Sequence, residues 1–530
     1  MEKEGENNVR MLRRTSGRGR GGGSAGEAGG GAGAGGGVGG GGGPGISAPS
    51  RESNALSNQV EIYPEPSPVL AGNYKKSFQS NTTFVVMTHF LKALLSPALL
   101  SMPYGFSNGG LMFSFFGYLI MISIVSMNMK KLCESATYLS EREDVKIRTY
   151  DQVAYVSLRS CSDRMKPFAP FFQFFVNFLF IVTYLDSCSI FMIFVARNME
   201  ALVTFYFPHT FLNVYHFLFL QVVWLMAMSS VRDLKYLTPF SFISCLLILI
   251  MTIFVIIFYV SKDLPEISTR MYVGTYVSIH RFISIVSFSL SGLSVSLTLK
   301  SSMIHQNKFF SCPGIYCVCV IIKCLIFLPF GFLGYLKYGD DTYPSIMLNL
   351  PLDEVIAVCI KITAILSIFL TSPIVFYVAF NVLWTNYLKS YIDVNSVFYA
   401  EYCGRYFCII ISYIVASIVP DLGTMIVLKG AFLHSHLEIT LPAILHYVTY
   451  YPSKGHGKFY WRLLWTILCI IFGLYLCVVG VTVGIIDFIL FLEESKNSTF
   501  EYESAVDDNI FIKLRSDING VYTNETVFPH

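Results

Sequence analysis

At 530 residues the chain is 53% hydrophobic and only 14% charged, with a mean hydropathy of +0.55, too apolar to be covered by its own polar surface in water. Its net charge of +3 is spread over several loops and offers nothing to a nucleic acid. The thirteen cysteines have no zinc-like spacing, and there is neither a Walker loop nor a nucleophile–base pairing, so the sequence argues against a metal, a cofactor and an enzyme, and for a lipid bilayer as its surroundings.

Residues 1–80 carry a glycine-rich run from Gly17 to Gly45 and then a Pro/Ser segment, a composition that cannot bury enough apolar area to fold. A disordered cytosolic tail is predicted there. Apolar runs follow at about 82–106, 111–130, 168–197, 212–230, 238–260, 282–300, 312–336, 354–384, 405–420, 424–447 and 463–491, each measured against the roughly 20 residues that cross a bilayer as helix. The prediction is an all-α, polytopic membrane protein of about eleven helices occupying 81–492, with its first span, beginning near Thr82, directing insertion. The ninth run is short and ends at Pro420. Cytoplasmic loops accumulate Lys and Arg. The loop after the second span holds Lys130, Lys131, Arg142, Lys146, Arg148, Arg159, Arg164 and Lys166, which places the N-terminus in the cytosol. Eleven spans then put 493–530 outside or in a lumen, where Asn497 and Asn524 are glycosylation acceptors.

The first span carries Ser96, Pro97 and Ala98 in its middle, and an interior proline removes a backbone hydrogen bond and clashes with the preceding turn. Freed backbone at membrane depth is tolerated where it lines a cavity, which is how broken helices build substrate sites. The sixth span has a matching weak stretch around Ser289, Ser291 and Gly292. In two inverted five-helix repeats the first and sixth helices are the broken pair that face each other. Ser96, Pro97, Ala98, Ser289, Ser291 and Gly292 are therefore the candidate substrate-binding residues, the small side chains at Ala98, Ser291 and Gly292 leaving room for a ligand. Small residues at an ordinary helix contact give the same pattern.

Ionisable residues inside spans mark function by default, and His89, Asp186, Lys323, Lys361, Lys429, Glu438 and Asp487 qualify. For the lysines, snorkelling to the membrane interface is the ordinary explanation. His89 suits proton coupling by its natural pKa range. Asp186 most needs a partner, which the sequence does not name.

Several motifs resemble the proton-coupled amino-acid transporters of the amino acid/auxin permease family: GYLKYGDDTYPSIMLNLP from Gly334 to Pro351, THFLK from Thr88, LLSMPYGFSNGG from Leu99, CSIFMIFVARN from Cys188 and VRDLKYLTPFSF from Val231. The resemblance runs from about Thr82 to Tyr451. It implies an inverted-repeat fold with broken first and sixth helices, substrate held between them, and inward proton-driven movement of small amino acids across the plasma membrane or a lysosomal or endosomal membrane. His89 matches the family's first-helix histidine, associated with proton coupling. The family's glycine-rich first-helix break is replaced by Ala93 to Ala98, and its sixth-helix glutamate by Ser291. These departures leave a second reading, a transport-inactive nutrient sensor or signalling scaffold that keeps the transporter fold.

Overall fold

The computed structural model describes residues 82–523 apart from 233, 262, 312 and 394, so the glycine-rich tail and Asn524 lie outside the described residues, as does the side chain of Asn497. Among the described residues fifteen α-helices follow one another: α1 (Thr83–Leu94), α2 (Met102–Gly109), α3 (Leu111–Arg142), α4 (Tyr150–Arg159), α5 (Ala169–Tyr206), α6 (Val214–Ser229), α7 (Leu234–Val260), α8 (Tyr276–Ser289), α9 (Ser296–Ser301), α10 (Ile315–Tyr338), α11 (Val355–Leu383), α12 (Val397–Ile418), α13 (Leu422–Lys429), α14 (Leu441–Lys454) and α15 (Trp461–Thr523). Among the described residues there is no β-strand. Nine helical stretches there are long and apolar enough to cross a membrane. The shorter apolar α6 and the interrupted run α13–α14 lie where the sequence placed the two further spans. The protein is a multi-pass, all-α membrane protein.

Three boundaries differ from expectation. The ninth span begins at Val397, a full two turns before 405, because Glu401 and Arg405 are buried in it as an ion pair instead of marking a loop. The tenth is not one regular helix: between α13 and α14 the backbone widens into a π-helical stretch, Gly430–Thr440. The last helix continues past 492 to Thr523.

The motif at Gly334–Pro351 closes the end of α10 with cations. Lys337 Nζ donates to Phe258 O at 2.9 Å and Tyr259 O at 3.2 Å, satisfying carbonyls at the C-terminus of α7. Arg270 donates to Leu336 O at 3.0 Å and Lys337 O at 3.3 Å, doing the same for α10, while Gly339 turns the chain at a φ of +64° with the Arg270 guanidinium against its Cα. At the site itself, α10 packs on α1 and α2, and α8 packs on α2 and on the π-helical stretch.

Candidate functional site

Pro97 has no N–H and pushes its predecessor out of the helical region. Accordingly Leu95 (φ −82°, ψ 73°) and Ser96 (φ −94°, ψ 161°) leave helical geometry, and the chain restarts as a 3₁₀ turn, Pro97–Ser101, leading into α2. The first span is thus unwound. In the sixth, Leu290 stays near helical angles and Ser291–Val295 merely tightens to 3₁₀ before α9, so this break is the milder one. The two breaks touch. A Cβ on Gly292 would run into the carbonyl of Ala93, so glycine here permits backbone-to-backbone contact rather than leaving room for a ligand, which corrects the role expected for it.

The side chain that bridges the breaks is Lys323 of α10. It is fully buried, and its Nζ donates to Leu94 O at 3.2 Å and to Ser289 O at 2.7 Å, the last residues of α1 and α8. The Phe327 ring lies 4.5 Å from the ammonium. Lys361 and Lys429 are 0% and 3% exposed, so none of these three lysines snorkels.

Beside the break lies a mainly apolar cavity of about 10 Å³ lined by Pro97, Ser101, Phe191, Phe194, Phe288 and Ile426, among others. It would hold no more than a single water, so the junction is closed in this conformation. Of the sequence candidates, Pro97 lines this cavity, Ala98 and Ser289 are buried at the junction, and the buried Ser96 Oγ has no hydrogen-bond partner. The Ser291 carbonyl accepts from Ser294 Oγ at 2.9 Å. His89 is on the exposed face of α1.

A second cluster surrounds the π-helical stretch. Asp186 of α5, whose partner the sequence did not name, lies 3.5 Å from Lys429 Nζ, and that ammonium also donates to Thr183 O at 2.9 Å and Ser187 Oγ at 2.5 Å. One turn on, His434 Nδ1 and Glu438 Oε1 are 3.5 Å apart. Both side chains are buried, and neither imidazole nitrogen nor carboxylate oxygen has a hydrogen-bond partner. The widened turns free carbonyls that side chains capture: Tyr150 Oη donates to Leu437 O at 3.0 Å, and Asn128 Nδ2 to Ile439 O at 3.2 Å. A cavity of about 310 Å³ between α5, α13 and α15 reaches Asp186 and Lys429, far roomier than the cavity at the first-span break.

Two further ionic sites are structural. Asp487 of α15 accepts a two-pronged contact from Arg281 of α8, Nε lying 3.0 Å from Oδ1 and 2.8 Å from Oδ2. Glu401 takes Arg405 at 2.8 Å and Arg232 at 2.5 Å. His434, Arg281 and Glu401 were missed from sequence; the i, i+4 spacing of His434 and Glu438 was the available signal for the first.

Comparison with known proteins agrees with the motifs. The profile of the family described as transmembrane amino acid transporter protein matches residues 79–486. The proton-coupled amino acid transporter-like protein pathetic of Drosophila melanogaster is 27% identical over 411 residues, covering 78% of this chain and 86% of that protein. The vacuolar amino acid transporter 4 of Saccharomyces cerevisiae is 21% identical over 323 residues, covering 59% of this chain and 42% of that protein. Among solved structures, a nucleobase-cation-symport-1 family transporter, closed with bromovinylhydantoin bound, aligns over 82% of this chain and 96% of its own, at a TM-score of 0.47 and 10% identity.

Proposed function

The chain belongs to the transmembrane amino acid transporter family, a secondary transporter of amino acids, and from that premise we propose that it carries neutral, mainly apolar amino acids together with protons. The observation that carries this reading is the cavity at the first-span break. Its walls are mainly aromatic and aliphatic, with the Ser101 hydroxyl among them, and beside it the chain is unwound at Leu95 and Ser96 before restarting at Pro97–Ser101, the kind of break at which transporters hold substrate. No carboxylate lines it to favour a basic side chain. The cavity must widen for substrate to enter, so transport proceeds by parting of the spans that now close it.

Proton coupling is assigned to the buried cluster on the π-helical stretch. A buried carboxylate and imidazole stand 3.5 Å apart without hydrogen bonds, close enough to share a proton, which would neutralise the carboxylate or balance it with an imidazolium. His89, exposed on α1, is the competing carrier. The plasma membrane or an acidic organelle's membrane is the proposed location, where an inward proton gradient is available. Initial uptake of labelled leucine, alanine and lysine into proteoliposomes, with and without an inward proton gradient, tests the proposal. Gradient-stimulated uptake of leucine and alanine over lysine supports it; uptake indifferent to the gradient removes the coupling, and preference for lysine removes the assigned pocket.

A further inference from the structure

We propose that Lys323 is a built-in cation: its ammonium occupies the place between the two broken spans where a free alkali cation would otherwise bind, so the closed junction takes none. The ammonium is fully buried, and its two acceptors are the terminal carbonyls of α1 and α8. Helix C-termini each carry roughly half an elementary negative charge. Two of them converging give about one negative charge, matched by one ammonium. Among the described residues no carboxylate forms an ion pair with Nζ; the helix ends are its direct partners, and Glu438 acts on it only from beyond contact distance.

Carbonyls at the ends of broken helices are the groups that hold coupling ions in transporters of this architecture. A tethered lysine fills such a place permanently. Its tether on α10 makes the cation part of the protein, and parting of α1 from α8 has to break at least one of its two bonds. This deepens the transporter reading and rests on it only for the meaning of the junction, not for its chemistry.

The test is thermal melting of the full-length protein, purified in sodium chloride and then exchanged into sodium, potassium or choline chloride at equal ionic strength. The unsubstituted protein is expected to melt at one temperature in all three. Lys323→Ala, which removes the charge and opens space, is expected to melt several degrees lower in choline and to recover most of that loss in sodium or potassium. Lys323→Met, which fills the space without charge, is expected to stay low in every salt. A sodium-dependent rise in the unsubstituted protein, an alanine variant indifferent to the salt, or a methionine variant as stable as the parent would each overturn the proposal. Melting is read without substrate, so the outcome stands whether or not amino acids prove to be carried.

Discussion

The junction of the two broken spans and the π-helical stretch of the tenth both bury charge deep in the helical bundle, yet they treat it in opposite ways. At the junction Lys323 meets two fixed carbonyl acceptors, and the glycine at 292 lets the backbones close around it. Along the stretch from Gly430 to Thr440, the side chains of His434 and Glu438 face each other without a hydrogen bond, and Asp186 meets Lys429 at 3.5 Å beside a cavity of about 310 Å³. Burial is common to both, and Lys429 is as well held as Lys323; what sets the second region apart is the His434–Glu438 pair, whose polar atoms have no hydrogen bond. A buried charge held by fixed acceptors keeps geometry, whereas buried polar groups left without a hydrogen bond have something to gain from a proton or a conformational change. On the proposed reading, the first region closes the pathway and the second carries the proton.

The sharpest way to break this comparison is to remove one member of the ion pair in the second region. Lys429→Met leaves Asp186 without its counter-charge and is expected to lower stability by about 3 kcal/mol, whereas the double variant Lys429→Met with Asp186→Leu should recover most of the loss. Thermal melting of the purified protein reads both, and a harmless single substitution would mean that the pair is not coupled. At the junction, Gly292→Ala puts a Cβ against the Ala93 carbonyl and is expected to cost about 1–3 kcal/mol, because backbone cannot yield as a side chain can. A neutral result there would show the two breaks to be loosely apposed. Lys361 supplies a control within the same membrane region: its buried Nζ has no hydrogen-bond partner, so Lys361→Met should leave stability unchanged or raise it by about 1–2 kcal/mol, opposite in sign to Lys323→Met. Equal losses from the two lysines would erase the distinction between satisfied and orphaned charge.

Much of the fold was legible in the sequence because each span is an apolar run of bilayer length, and the first break because Pro97 imposes it by covalent geometry. The sixth break was legible as weakness but not as degree: Ser291 and Gly292 tolerate both unwinding and the 3₁₀ tightening that occurs. What remained hidden depended on partners far apart in the chain. Nothing local in α5 points Asp186 to Lys429, and a lysine within an apolar run reads as a snorkelling residue until Leu94 and Ser289 are seen to end beneath Lys323. The π-helical stretch has no compositional mark, since its carbonyls are satisfied by Tyr150 and Asn128 from other helices. Glu401 and Arg405 misled the ninth boundary because charges that neutralise each other inside the bundle look, one at a time, like loop residues.

The central claim, that protons are carried on the tenth-span cluster while the broken junction only opens and closes, is tested most directly in proteoliposomes by comparing the parent with Glu438→Gln and His89→Ala. Glutamine keeps the size of Glu438 and cannot titrate. Glu438→Gln is expected to retain exchange of labelled against unlabelled leucine while losing stimulation of net uptake by an inward proton gradient, and His89→Ala is expected to keep both. Stimulation that survives in Glu438→Gln and disappears in His89→Ala would contradict the account and move the proton to the first helix.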